Sequence, residues 1–336
     1  MNTHPTTAIT AADSRRAAQD ILRRVLGHVI DHNGGYLSQA CSSAEILATL
    51  YLRVLRLGPS EGPAEPPPFS GVPAPGRPVA GIGERYNGAH APDLDRFIFS
   101  PVHYALGLYA TLIEMGRLGE TGLQHFNQDG STVEMIGAEH SPGIAVTAGS
   151  LAQALSQAGG IALGRRLKGE RGRVIVMMSD GELQEGQTWE AFAALAFHRL
   201  DNVVVYIDVN GQQCDGVMTS VGEIGDPAAR LEAFGATVVV VDGHDIEALT
   251  AAAATPHAGK PLVVLCATDP CHGVDLLRER QTIGKIHHVR FVDEAERERY
   301  AAYHARWTRD ADTDADADTN ANANANADTD TEEVRR

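Results

Sequence analysis

From Arg173 onward, short apolar runs alternate with helical stretches. Val174–Met178 is followed by Gln187–His198 at helical spacing, then by the runs Val203–Ile207, Thr237–Val241 and Leu262–Cys266. No other feature narrows the fold so much. Such runs are too apolar to leave one face in water, so they belong in a sheet buried on both sides. Strands separated by helices pair in parallel through right-handed crossovers, which gives an α/β fold: a doubly wound, mostly parallel sheet with helices on both faces. Ligands of such sheets sit beyond the carboxyl ends of the strands. The loops after Met178 and Ile207 are therefore where chemistry is expected.

Upstream, Ser14–Val29 and Ser42–Leu57 have apolar residues at helical spacing, the second with a serine placed to cap its start, and they flank the loop Asn33-Gly34-Gly35-Tyr36. Residues 58–83 turn to Pro and Gly and read as an exposed, disordered insert. This divides the chain into a flexible start at 1–12, a single domain over 13–308 with the insert at 58–83, and a low-complexity tail at 309–336 expected to be disordered and dispensable. The formal charge is −16, but 310–336 hold nine acidic and two basic side chains, net −7, leaving −9 for the rest. Acidity of this order disfavours nucleic acid and anionic membranes as partners. Arg15, Arg16, Arg23 and Arg24 interrupt Ala11–Ile30, so neither a signal peptide nor a membrane span is expected, and the cytoplasm is the expected location. Cys41, Cys214, Cys266 and Cys271 form no C-x-x-C pair and are read as reduced and mostly buried.

The two loops carry matching chemistry. Asp180, in Ser179-Asp180-Gly181-Glu182, and Asn210, in Asn210-Gly211-Gln212, lie thirty residues apart, each just past one of two neighbouring strands. A carboxylate, an amide oxygen and a backbone carbonyl suit a hard cation such as Mg²⁺ or Ca²⁺, which keeps open positions for phosphate oxygens. Gly181 and Gly211 let a diphosphate approach the backbone, and a helix start nearby offers free N–H groups.

Ser179–Gly216 resembles the thiamine-diphosphate motif, a G-D-G followed some thirty residues later by an asparagine, in its transketolase form. The resemblance implies thiamine diphosphate with Mg²⁺ (or Ca²⁺ or Mn²⁺) as cofactors, Asp180 and Asn210 as side-chain metal ligands and Gln212 as a main-chain ligand, with Gly181 and Glu182 beside the cofactor. It places Glu185 at the dimer interface, where it couples two active sites. Asp95-Arg96-Phe97-Ile98-Phe99-Ser100-Pro101-Val102-His103 is similar to the family's D-R-F-x-x-S-x-x-H, which makes His103 a substrate-facing residue. The segment Ser141–Gln153 is similar to the family's P-G-[IV]-x-x-T-x-G-x-L-x-Q, which sets Gly149 and Leu151 against the aminopyrimidine. Asp242-Gly243-His244-Asp245 matches a further signature, and His287, with His288 as the alternative, stands for the late active-site histidine.

Three positions depart from the pattern. Ser179 replaces the first glycine of G-D-G, Tyr36 stands where the early histidine belongs, and a third histidine upstream of Pro142-Gly143 has no counterpart except the nearby His140. The domain that carries the family's ring-activating glutamate is not in the sequence. The resemblance therefore implies a separate pyrimidine-binding subunit in an α₂β₂ assembly and a transferase moving a two-carbon ketol unit from a ketose, expected to be phosphorylated, to an aldehyde. Two rivals stand beside it: a decarboxylating 2-oxoacid enzyme, since Gly34-Gly35-Tyr36-Leu37-Ser38 also resembles the G-G-H-[IL]-S of homodimeric pyruvate dehydrogenase first components, and a non-catalytic subunit that keeps the fold.

Overall fold

The structure, a computed structural model, describes residues 9–72, 74, 75, 81–309 and 311. The readings made above for 1–8, for most of 73–80 and for 310 and 312–336 lie outside the described residues.

Five strands form one parallel sheet: β1 (Arg96–Phe99), β2 (Val174–Ser179), β3 (Val203–Val209), β6 (Thr237–Asp242) and β7 (Leu262–Ala267), in the order β1-β2-β3-β7-β6. A two-stranded ribbon, β4 (Gln212–Gln213) and β5 (Gly216–Val217), stands at the end of β3. Central strands β2 and β3 are almost wholly buried, as a parallel sheet covered on both faces requires. Edge strand β6 is not, and its Val240 is 62% exposed.

Helices α1 (Ala11–His32), α2 (Leu37–Thr49) and α3 (Ala105–Glu114) pack on one another, with α2 reaching β3. Helices α4 (Gln153–Leu167) and α5 (Gly186–Phe197) pair separately, with α4 lying across β1, β2 and β3. A last helix runs from 294 to 309. No helix among the described residues is long and apolar enough to cross a membrane.

Two local expectations change. Helix α2 begins at Leu37, not near Ser42, and its N-cap residue Tyr36 makes no side-chain cap bond. Ser42 is a buried interior hydroxyl bonded to Asp208, 166 residues away, so the serine is there for a distant acid and not for the helix end. The Pro-rich segment is irregular but pinned over 58–69. Phe69 N–H donates to Gly130, Gly119 N–H to Ala64, and the Thr132 hydroxyl to Pro67. Gly62 lies against the Tyr86 ring, where an added Cβ would meet ring carbons at 2.6 Å, so glycine is required. Backbone groups that miss a helix or sheet still find partners, and here those partners tie the segment down.

Candidate functional site: the strand ends of β2 and β3

Ser179 and Asp208 are register partners at the ends of β2 and β3, so the residues that follow them emerge side by side. Asp180 is 2% exposed, and its Oδ2 accepts the Gly211 N–H at 2.7 Å. Its Oδ1 is buried with no hydrogen-bond partner among the described residues. Burial, joined by the neighbouring Asp208, pushes the Asp180 carboxyl up to about 8. A buried carboxyl group with one oxygen free of hydrogen bonds fits a divalent metal.

Asn210 is aimed by a buried acid that sequence reasoning missed. Asp208 Oδ2 accepts from Ser42 Oγ, from Tyr104 Oη at 2.9 Å and from Asn210 Nδ2 at 2.9 Å, while Oδ1 accepts from Thr268. With its NH₂ held inward, Asn210 presents Oδ1 to the loop, where it accepts the Gln212 N–H at 2.9 Å. Gly211 has φ +71°, and an added Cβ would meet nothing within 4 Å, so backbone conformation is what calls for glycine there. A lone acid ending the apolar strand Val203–Val209 is the sequence signal that could have revealed Asp208.

Glu182 turns away from this opening. Its Oε1 accepts the Ser179 N–H at 2.9 Å in a capping box, its Oε2 accepts the Ser100 hydroxyl, and the Ala152 backbone also bonds to it. Fully buried, its carboxyl is pushed up to about 7 by desolvation. Its carboxylate thus ties the ends of β1 and β2 to Ala152, a non-glycine at φ +66°. Leu151, half-buried, has its carbonyl bonded to Gln187 Nε2 at 2.5 Å; Gly149 is exposed; Glu185, half-buried, precedes α5 at its N-cap position without a side-chain cap bond.

Tyr36 stands among the histidines. Its ring centroid lies 5.9 Å from His103, 5.5 Å from His287 and 5.0 Å from His288, and His103 lies 5.6 Å from His287. The two-way bridge between Gly35 and Val289 brings the late loop here. His287 faces His103 and bonds to Gln39, whereas His288 is exposed and lines a cleft of about 690 Å³ with Tyr36, His32 and Arg290. Burial drives His103 down to about 3 and His287 to about 4, each helped by a neighbouring histidine. Both rings are therefore neutral hydrogen-bonding groups at pH 7. His140 lies apart, bonded to Glu134.

A second cluster lies beyond β6 and β7. His244 Nδ1 meets Glu45 Oε2 at 3.1 Å and His272 Nε2 meets Glu45 Oε1 at 3.4 Å. Glu45, His244 and His272 lie close enough to hold a metal, but the Asp269 N–H donates to His244 Nε2, so the ring proton sits on Nδ1 and goes to Glu45. A metal-bound histidine donates from its second nitrogen, so the trio is a hydrogen-bonded clamp on α2. Burial would raise the Glu45 carboxyl, but bonds from His244 and His272 pull it down to about 2, and Glu45 in turn raises His272. The Glu45 contribution is present above its ordinary value of 4.5 and lost as pH falls toward 2; that of His272 is present below 6.5 and lost as pH rises. Glu45→Gln is accordingly expected to cost about 1–2 kcal/mol between about pH 4.5 and 6.5, the range kept low because solvent screens the half-exposed His272, and less at pH 8. Urea unfolding at pH 5.5 and 8 checks this; an equal loss at both would contradict it.

The family model for the transketolase thiamine-diphosphate-binding domain matches residues 85–282. The transketolase family protein y4mO of Sinorhizobium fredii is 34% identical over 272 residues, covering 80% of this chain and 86% of that protein. The 6-deoxy-6-sulfo-D-fructose transketolase subunit SqwG of a Clostridium species is 27% identical over 259 residues, covering 76% and 84%. A solved mutant transketolase from Pichia stipitis superposes with a TM-score of 0.63 at 21% identity, over 89% of this chain but 45% of that one. The chain spans less than half of that longer enzyme. The matched segment includes both loops that bear Asp180 and Asn210, and the chain belongs to the transketolase family through its thiamine-diphosphate-binding domain.

Proposed function

We propose that this chain is the diphosphate- and metal-binding subunit of a two-component transketolase. The buried Oδ1 of Asp180, without a hydrogen-bond partner among the described residues and beside Asn210, carries this reading. Asp180 and Asn210 would hold Mg²⁺ by side chain and Gln212 by its main-chain carbonyl, with Gly181 leaving room for the diphosphate and Gly149 and Leu151 framing the ring. When bound, thiamine diphosphate supplies the centre that stabilises carbanion character while a two-carbon ketol unit passes from a ketose to an aldehyde. His103 and His287, as neutral groups, would orient substrate hydroxyls by hydrogen bonds. Glu185, half-buried at the start of α5, is assigned to the contact between copies.

Relatives of matching length that are named as transketolase subunits support a separate partner subunit. We read that partner as the pyrimidine-binding subunit of an α₂β₂ complex and place the complex in the cytoplasm. The test is co-expression with that partner, followed by product analysis with ketose-phosphate donors and aldose acceptors. Ketol transfer that disappears with Asp180→Ala is expected. Release of CO₂ from a 2-oxoacid would favour the decarboxylating alternative, and no turnover with bound cofactor would favour a non-catalytic role.

A further inference from the structure

Helix α2 is buried along its whole length, although Ser38, Gln39, Ser42, Ser43, Glu45 and Thr49 all lie on it. Burying a glutamine costs side-chain freedom and desolvates an amide, so a partner must hold it. Gln39, 3% exposed, bonds at both ends: Ser38 Oγ donates to Gln39 Oε1 at 3.0 Å, and Gln39 Nε2 lies 3.0 Å from His287 Nδ1. The Ser38 hydroxyl donates to the amide oxygen, and the NH₂ end faces the imidazole. An NH₂ group has no lone pair to offer, so Nδ1 must accept and the ring carries its proton on Nε2.

Around that ring stand Tyr36 and His103 from other elements, with His288 beside it; Asp215 acts on it electrostatically. The hydrogen bond at Nδ1 comes from Gln39, which is therefore the group that sets the tautomer. Resting on the transketolase reading for its role in turnover, we propose that Gln39 is a positioning residue that fixes His287 as an Nε2–H donor, so that the late histidine meets substrate as a hydrogen-bond donor and not as a base. Burial, which keeps the ring uncharged at pH 7, agrees with this geometry.

The test has two arms. In the full chain labelled with ¹⁵N-histidine, two-bond proton–nitrogen spectra read the tautomer of His287, its signal identified by its loss in His287→Gln. A protonated Nε2 and bare Nδ1 from pH 6 to 8 is expected; a protonated Nδ1 would overturn the assignment without any Gln39 variant having to fold. Gln39→Glu places an acceptor at Nδ1, so the proton should move there and the ring should begin to titrate near neutrality; an unchanged tautomer in this folded variant would also overturn it. In the complex with the partner, Gln39→Glu should add an ionisation between pH 6 and 8 to the kcat profile, while Gln39→Leu should lower kcat about 10-fold with no new ionisation. Identical pH profiles for the two variants would count against the proposal. The spectroscopic arm needs neither partner nor substrate, so its failure condemns this assignment alone, whereas a wild-type complex with no ketol transfer condemns the reading of function.

Discussion

Asparagine in place of Asp180 should leave the cofactor-free chain as stable as before or more so, by about 1–3 kcal/mol, because it removes the cost of taking up a proton on burial and keeps an acceptor for the Gly211 N–H. The same change should weaken Mg²⁺-dependent binding of thiamine diphosphate by at least about 100-fold, about 2.7 kcal/mol. A residue kept for folding behaves the other way round. Thermal unfolding with and without Mg²⁺ and thiamine diphosphate separates the cases: the wild type should gain stability on addition and the variant should not. A destabilised variant that still responds to cofactor would show that Asp180 serves the fold.

Asp208→Ala has the opposite signature. It strands four side-chain donors, from Ser42, Tyr104, Asn210 and Thr268, in a buried site, and the expected loss is about 4 kcal/mol. Asp208→Asn should cost only about 1 kcal/mol, because the amide can point its oxygen at Asn210, Tyr104 and Ser42 and its NH₂ at Thr268, whose hydroxyl can turn to accept. The Asn210 NH₂ cannot turn in that way, so the orientation is dictated. Urea unfolding of the two variants measures the gap; equal losses would mean that the Asp208 network is not what holds the strand end.

The main sheet was legible because its strands are continuous apolar runs, and Val174, Val203, Thr237 and Leu262 begin strands where the sequence pattern starts them. Strand β1 was read only as part of a motif, since four residues opening on Arg96 give too short a period to count. Side-chain direction was less legible than position. That the two loops lie side by side, with the Gly211 N–H on Asp180, follows from spacing, but the Glu182 side chain points inward because Ser179 and Glu182 form the S-x-x-E pattern of a capping box. Long-range partners were not legible at all: nothing local tells Ser42 that it faces Asp208, or Gln39 that it faces His287 rather than His288. Composition likewise marked 58–83 as irregular but could not see the hydrogen bonds that fasten 58–69.

Calorimetric titration of thiamine diphosphate with Mg²⁺, into the chain alone and into the chain co-purified with a pyrimidine-binding partner, tests the central claim most directly. Saturable binding that requires Mg²⁺, tightens in the complex and disappears with Asp180→Asn is predicted. Absence of binding in the intact complex, or binding indifferent to Asp180→Asn, would contradict it.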